Sequence, residues 1–209
     1  MYLSRVEIDI FSKKNIKSLY HLGAYHSWVE DCFPDEKIEH IRSRKLWRID
    51  KLFNKYFLLI VSEKKPNFEI LEKYGVKGTA ESKEYDKFLE NLKNGMRAKF
   101  RIVLNPVISK KTDDSEKRGR IFPHTTIKYQ LKYLEDRAEK NGFILEDCNI
   151  VSRSMETLKK ENKNNNFVKV AYEGILCIKD VEKFRNILKK GIGKEKAYGF
   201  GMLTIIPIV

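Results

Sequence analysis

Cysteine is scarce in this chain of 209 residues: Cys32, Cys148 and Cys177 are scattered and odd in number. That excludes a disulfide framework or a C-x-x-C zinc site and fits reduced intracellular thiols. No apolar run is long enough to span a bilayer, and no basic helix has a broad apolar face. The N-terminus enters a strand pattern at once, without a signal-peptide core, so the cytoplasm is the expected compartment. There is no Pro/Ser linker; the polar run from Lys159 to Asn166 reads as a loop. No H-E-x-x-H occurs. Asp113, Asp114 and Glu116 lie beside Lys117 and Arg118, a solvated loop rather than the carboxylate cluster of a metal-dependent nuclease. Neither metal nor cofactor is therefore expected. Negative charge is also in short supply: 29 Asp and Glu against 42 Lys and Arg leave a net charge of +13. Such a surplus favours a partner rich in phosphates over a membrane surface.

Glycine is concentrated where it is informative. Four of the 11 glycines, Gly191, Gly193, Gly199 and Gly201, fall in one loop near the C-terminus, among Lys189, Lys190, Lys194 and Lys196. It is not a Walker loop, because Glu195 follows Gly193-Lys194 and Leu188 occupies the earlier glycine position. Nor is it a Rossmann fingerprint: Lys196 stands at the third glycine, and the order is helix, loop, strand rather than strand, loop, helix. Taken alone, the loop fits either a flexible turn with solvated lysines or a cradle whose backbone N–H groups meet a polyanion.

Periodicity divides the chain into two similar halves. Leu3 to Ile10 alternates as a strand, Asn15 to about Phe33 reads as a helix stopped at Pro34, and Leu46–Asp50 and Tyr56–Ser62 read as strands. Phe68 to Leu92 is mixed: a short helix, a weak strand and a helical stretch. After Gly95, Met96, Ala98, Phe100, Ile102 and Leu104 form the apolar side of a strand ended by Asn105-Pro106. A helix over Thr125 to Asn141 follows, with Ile127, Leu131, Leu134 and Ala138 on one face and Gly142 past its end. Strands over 144–151 and 167–178, a helix capped by Asp180 and a strand from Met202 to Val209 complete the second half. The order β-α-β-β-α-β is ferredoxin-like. The expected fold is α+β, two tandem ferredoxin-like domains over 1–92 and 93–209.

Three segments resemble one family. MYLSRVEI at the start, GMRAKFRIVLNPVISK in the middle and VAYEGILCIKDVEKFRNILKKGIGKEKAYGFGMLTIIPI at the end are similar, in that order, to the CRISPR-associated CasE endoribonucleases of type I-E systems. The resemblance implies binding of a CRISPR repeat hairpin and one metal-independent cut at the 3′ base of its stem. The 2′-OH attacks the adjacent phosphate, leaving a 2′,3′-cyclic phosphate and a 5′-OH. The protein would then stay on its product among the other Cascade subunits. A non-catalytic hairpin-binding or scaffold subunit is the alternative.

Attack by a 2′-OH needs proton transfer near neutrality, which suits histidine. The chain has four: His21, His26, His40 and His124. The family's histidine stands in the first helix seven residues before Phe-Pro, which here is His26 before Phe33-Pro34; the role implied is base, or acid for the leaving oxygen. Family members carry a tyrosine one turn earlier. Gly23 stands there instead, and Tyr25, about 100° away on an ideal helix, is the available substitute. His124 in His124-Thr125-Thr126 is a single H-x-T, short of the two that a two-histidine phosphoesterase requires.

For the RNA, Arg97, Lys99 and Arg101 project from one strand face about 6.6–6.8 Å apart, close to the phosphate spacing of a strand. Lys117, Arg118 and Arg120 match a basic loop that the family sets against the stem. An A-form stem is read by shape and backbone, which suits such a loop.

Overall fold

The computed structural model describes residues 1–111, 119–160 and 163–208. They form two compact units, Met1–Leu92 with Arg185–Met202 and Lys93–Phe184 with Leu203–Val209.

In the first unit, β1 (Tyr2–Glu7), α1 (Lys13–Ser18), α2 (Leu22–Asp31), α3 (Pro34–Ile38), β2 (Leu46–Leu52) and β3 (Lys55–Ser62) are followed by α4 (Phe68–Leu71), β4 (Glu81–Glu84) and α5 (Asp86–Glu90). The sheet order is β2-β3-β1-β4, all pairs antiparallel. The first strand lies between the third and fourth, the ferredoxin-like arrangement. Val6, Leu58 and Ile60 from the sheet and Trp28 and Val29 from α2 are buried.

Two local readings change. The helix expected from Asn15 to Phe33 is split, because His21 caps α2: its Nδ1 accepts from the Ala24 backbone N–H at 3.1 Å. A cap needs extended backbone at its own residue, so the chain must leave the helix there. Pro34 ends α2 but also opens α3 at its first turn, where its missing N–H costs nothing. Strand β1 stops at Glu7 rather than Ile10, because Asp9 Oδ1 turns the chain by accepting from the N–H groups of Phe11 and Ser12.

The second unit holds β5 (Arg97–Leu104), β6 (Val107–Lys110), β7 (Arg120–Pro123), α6 (Ile127–Ala138), β8 (Phe143–Lys160), β9 (Lys163–Ile178), the start of α7 (Val181–Lys190) and β10 (Leu203–Pro207). Its sheet order, β10-β5-β9-β8, repeats the ferredoxin-like pattern, and β6 and β7 form a separate hairpin. Helix α6 buries Gln130, Tyr133, Leu134 and Ala138, whereas Ile127 is exposed. The run from Lys159 to Asn166, expected as a loop, is largely ladder: β8 and β9 stay paired from Phe143↔Ile178 to Lys160↔Lys163. Continued backbone pairing outweighs a polar composition that by itself signals a turn.

Both units are therefore ferredoxin-like. The glycine loop, expected with the second domain, clusters with the first, because Ile192, Phe200 and Met202 are buried there.

Candidate active site

His26 lies midway along α2, whose other side is fixed by buried Trp28; the Trp28 indole N–H donates to the Ile70 carbonyl at 3.2 Å. Facing His26 is the loop that leads from α3 into β2, and a buried carboxylate holds that loop. Glu36 accepts from the Ser43 backbone N–H at 3.1 Å and from Lys45 Nζ at 2.6 Å. The Lys45 side chain is 1% exposed and that of Glu36 4%. Burial alone would raise the Glu36 carboxyl, but the hydrogen bonds from Lys45 and Ser43 outweigh it and hold it below the usual range. Lys45 also reaches Glu30 Oε2 at 3.2 Å and sits over the Phe33 ring. With its ends pinned, the loop presents Arg42 and Arg44 outward. An Arg42 Nη2 lies 3.2 Å from His26 Nε2 and 3.4 Å from Glu30 Oε1, and His26 Nδ1 is 3.9 Å from that same oxygen.

The glycine loop supplies another wall. Gly199 has φ +83°, and a Cβ there would meet the Trp47 ring at 2.7–3.0 Å; Gly201 has φ +86°, and its Cβ would sit 2.3 Å from the Ile192 carbonyl oxygen. Both conditions demand glycine. The Trp47 indole N–H donates to the Ala197 carbonyl at 3.0 Å, so the loop is stapled to β2. Gly191 and Gly193 also have positive φ. Gly191, Gly199 and Gly201 thus serve close packing. The result is a short 3-10 turn, Lys196–Tyr198, that sets the Tyr198 and His26 ring centroids 5.9 Å apart in an edge-to-face arrangement. Lys196 is half-buried, and burial together with Arg44 lowers its pKa; Lys194 is exposed.

These walls enclose a cavity of about 440 Å³ lined by His26, Glu30, Arg42, Arg44, Lys45, Trp47 and Ala197, among others. Burial pushes the His26 pKa below the ordinary imidazole value; Glu30 opposes the shift, and Arg42 and Lys45 add to it. His26 is thus held toward its neutral form. Among the described residues no three His, Cys, Asp or Glu converge on a metal position.

Tyr25 is not brought to His26. It stacks on Trp47 at 5.9 Å and lines a separate apolar groove with Ile8, Leu19 and Tyr56; burial raises its hydroxyl pKa. The aromatic ring beside His26 is Tyr198 instead. Sequence reading missed Tyr198, Arg42, Arg44 and the Glu30–Lys45–Glu36 network; the one local signal was Arg42-Ser-Arg-Lys45 between a helix and a strand.

The basic strand is placed as expected but not left bare. Arg97 pairs with Glu146 at 2.7 Å and Arg101 with Glu173, its cross-strand neighbour, while Lys99 between them has no ion pair among the described residues. Arg120 opens β7 opposite Lys110; Lys117 and Arg118 lie outside the described residues. His124 stacks against Tyr129 and flanks α6. The three thiols are unpaired, and no described helix is long and apolar enough to cross a membrane.

Comparison with known proteins agrees over the whole chain. The CRISPR-associated endoribonuclease Cse3 of Thermus thermophilus is 27% identical over 99% of this chain and 100% of its own length. The CRISPR system Cascade subunit CasE of Escherichia coli is 28% identical over 56% of this chain and 61% of its own. Among solved structures, Thermus thermophilus Cse3 bound to an RNA representing a pre-cleavage complex superposes with a TM-score of 0.81 at 23% identity, covering 99% and 98% of the two chains. The Escherichia coli Cas6e crystal structure gives a TM-score of 0.70 at 23% identity, covering both chains fully. The family model described as CRISPR associated protein matches residues 1–207, and by that match this chain belongs to the family.

Proposed function

We propose that this protein is an endoribonuclease of CRISPR RNA maturation. It binds the repeat hairpin of the precursor, cuts once at the 3′ base of the stem and remains on the product as a Cascade subunit in the cytoplasm. One observation carries the reading: a single half-buried histidine, held toward its neutral form, faces a cavity walled by cationic side chains. The named relatives supply the substrate class.

In the proposed reaction His26 takes the proton of the 2′-OH as that oxygen attacks the adjacent phosphorus. The bond to the 5′-oxygen breaks, that oxygen takes a proton from water, whose hydroxide in turn accepts the proton held by His26, and the products are a 2′,3′-cyclic phosphate and a 5′-OH. Arg44 and Lys196 supply positive charge where the phosphate gains it. No step calls for a metal. A depressed pKa supports the base role, because most of the imidazole is then unprotonated at neutral pH. Lys117, Arg118, Arg120 and Lys194 are proposed to follow the stem backbone. Arg97, Lys99 and Arg101 form a second, weaker contact strip.

Gly23, standing where the family has a tyrosine, favours a second reading in which the protein holds the hairpin without cutting it. A single-turnover assay with the source genome's own repeat hairpin, in EDTA, decides between them. One cut with a cyclic-phosphate end, lost in His26→Ala, is expected. Tight binding with no cut by either protein would leave the scaffold reading.

A further inference from the structure

Arg42 is exposed over 68% of its side chain, yet its guanidinium ends on the one atom that the proposed reaction needs. A guanidinium can only donate. Its 3.2 Å contact therefore requires the lone pair of His26 Nε2, which places the ring proton on Nδ1, toward Glu30. In that arrangement Nε2 is neutral but occupied, and it cannot take a proton from a hydroxyl. The charged and titratable groups facing His26 are Glu30 from α2, Arg42 and Lys45 from the loop entering β2, and Tyr198 from the turn after α7; Arg44 lines the same cavity, and Lys196 lies beside Arg44.

The bond holding Arg42 is weak compared with what RNA offers. Arg42 is held by this contact to neutral imidazole and by a long, partly exposed ion pair to Glu30 Oε1 at 3.4 Å, and the two together compete poorly with a two-pronged, charge-assisted grip on phosphate oxygens. The base of the loop is fixed by buried Lys45 and Glu36, so the guanidinium can swing without unfolding what carries it.

We propose that Arg42 is a substrate-displaced cap: it occupies His26 Nε2 in the free protein and moves to a phosphate when RNA binds, so the base is uncovered only in the loaded site. The inference rests on the ribonuclease reading. The move has a second consequence. Once the phosphate neutralises Arg42, its repulsion of an imidazolium fades while the attraction of Glu30 stays. His26 becomes a stronger base as it becomes available.

The test uses the full chain labelled with 15N-histidine, the His26 signals being assigned with His26→Ala. Wild type and Arg42→Gln are titrated by NMR, free and bound to a repeat hairpin made uncleavable by 2′-deoxy sugars at the 3′ base of the stem. In free wild type the Nδ1–H tautomer is expected, with a pKa below the ordinary value of about 6.5. Arg42→Gln should raise that pKa, and RNA should raise it in wild type but add little in the variant. At saturating enzyme the cleavage rate of Arg42→Gln should fall about 10- to 100-fold, the worth of one charge-assisted hydrogen bond. Identical titrations of wild type and Arg42→Gln, or an Nε2 signal that RNA leaves unmoved, would overturn the cap. Wild-type cleavage by His26→Ala would instead bring down the ribonuclease site itself.

Discussion

Two regions of this molecule gather positive charge in different ways. On β5, Arg97, Lys99 and Arg101 are evenly spaced along one face, yet Arg97 and Arg101 each meet a carboxylate of the same sheet. Around His26, Arg42 and Arg44 come from the loop entering β2 and Lys196 from the distant glycine loop, and the carboxylates nearby are shared: Glu36 holds Lys45, and Glu30 is divided among His26, Arg42 and Lys45. Even spacing alone thus does not mark unpaired cations. Cations already matched across strands contribute to the sheet. Cations crowded against one another are poised for an external anion. Lys196 beside Arg44 shows that crowding.

The largest expected effect tests whether the His26 region is chemical at all. His26→Ala should slow single-turnover cleavage about 10²- to 10⁴-fold, the usual worth of a positioned proton-transfer group. Hairpin affinity should be nearly unchanged, since His26 is not among the cations that bind phosphate. A comparable loss in Arg97→Gln with none in His26→Ala would reverse the comparison.

Next in size is the anchor of the loop. Lys45→Met strands Glu36 as a buried carboxylate without its ammonium, which should cost about 3–5 kcal/mol in urea unfolding. Lys45→Met with Glu36→Gln together should recover much of that, because no uncompensated charge then remains. If Lys45→Met alone is nearly neutral, the loop does not depend on this pair. Gly199→Ala comes third. The added methyl meets Trp47 and the backbone must keep a positive φ, together about 1–3 kcal/mol. Because the same turn carries Lys196 and Tyr198, cleavage should fall beyond what the lost stability explains, as read at a temperature where the variant is fully folded.

The contrast also marks where sequence reading reaches its limit. The β5 stripe was legible because alternation is local: Ala98, Phe100 and Ile102 face inward and the basic residues outward, as the period of a strand requires. The ferredoxin-like order followed from the same kind of pattern. His26 was legible only through its distance from Phe33-Pro34. Tyr198 was not, since nothing local to residue 198 says that Trp47 will staple its loop against α2. Nor was the break before α2, which depends on one side chain, His21, choosing to cap instead of continuing a helix. The carboxylates that cancel Arg97 and Arg101 lie 49 and 72 residues away, so their neutralising effect was equally hidden.

The smallest expected effect bears most directly on that cancellation. Each cation that replaces a condensed counterion on RNA adds about 0.7 to 0.9 to the slope of log affinity against log salt. Arg44→Gln and Lys196→Gln should each remove close to that amount. Arg97→Gln and Arg101→Gln should each remove less than half of it, because an arginine already paired with Glu146 or Glu173 must give up that partner before it gains a phosphate. Glu146→Gln sharpens the point: with its carboxylate gone, Arg97 should bind more like an unpaired cation, and the slope of that variant should steepen slightly relative to wild type. A full loss of slope in Arg97→Gln, with none in Lys196→Gln, would mean that RNA breaks the cross-strand pairs and that regular spacing had been the better guide after all.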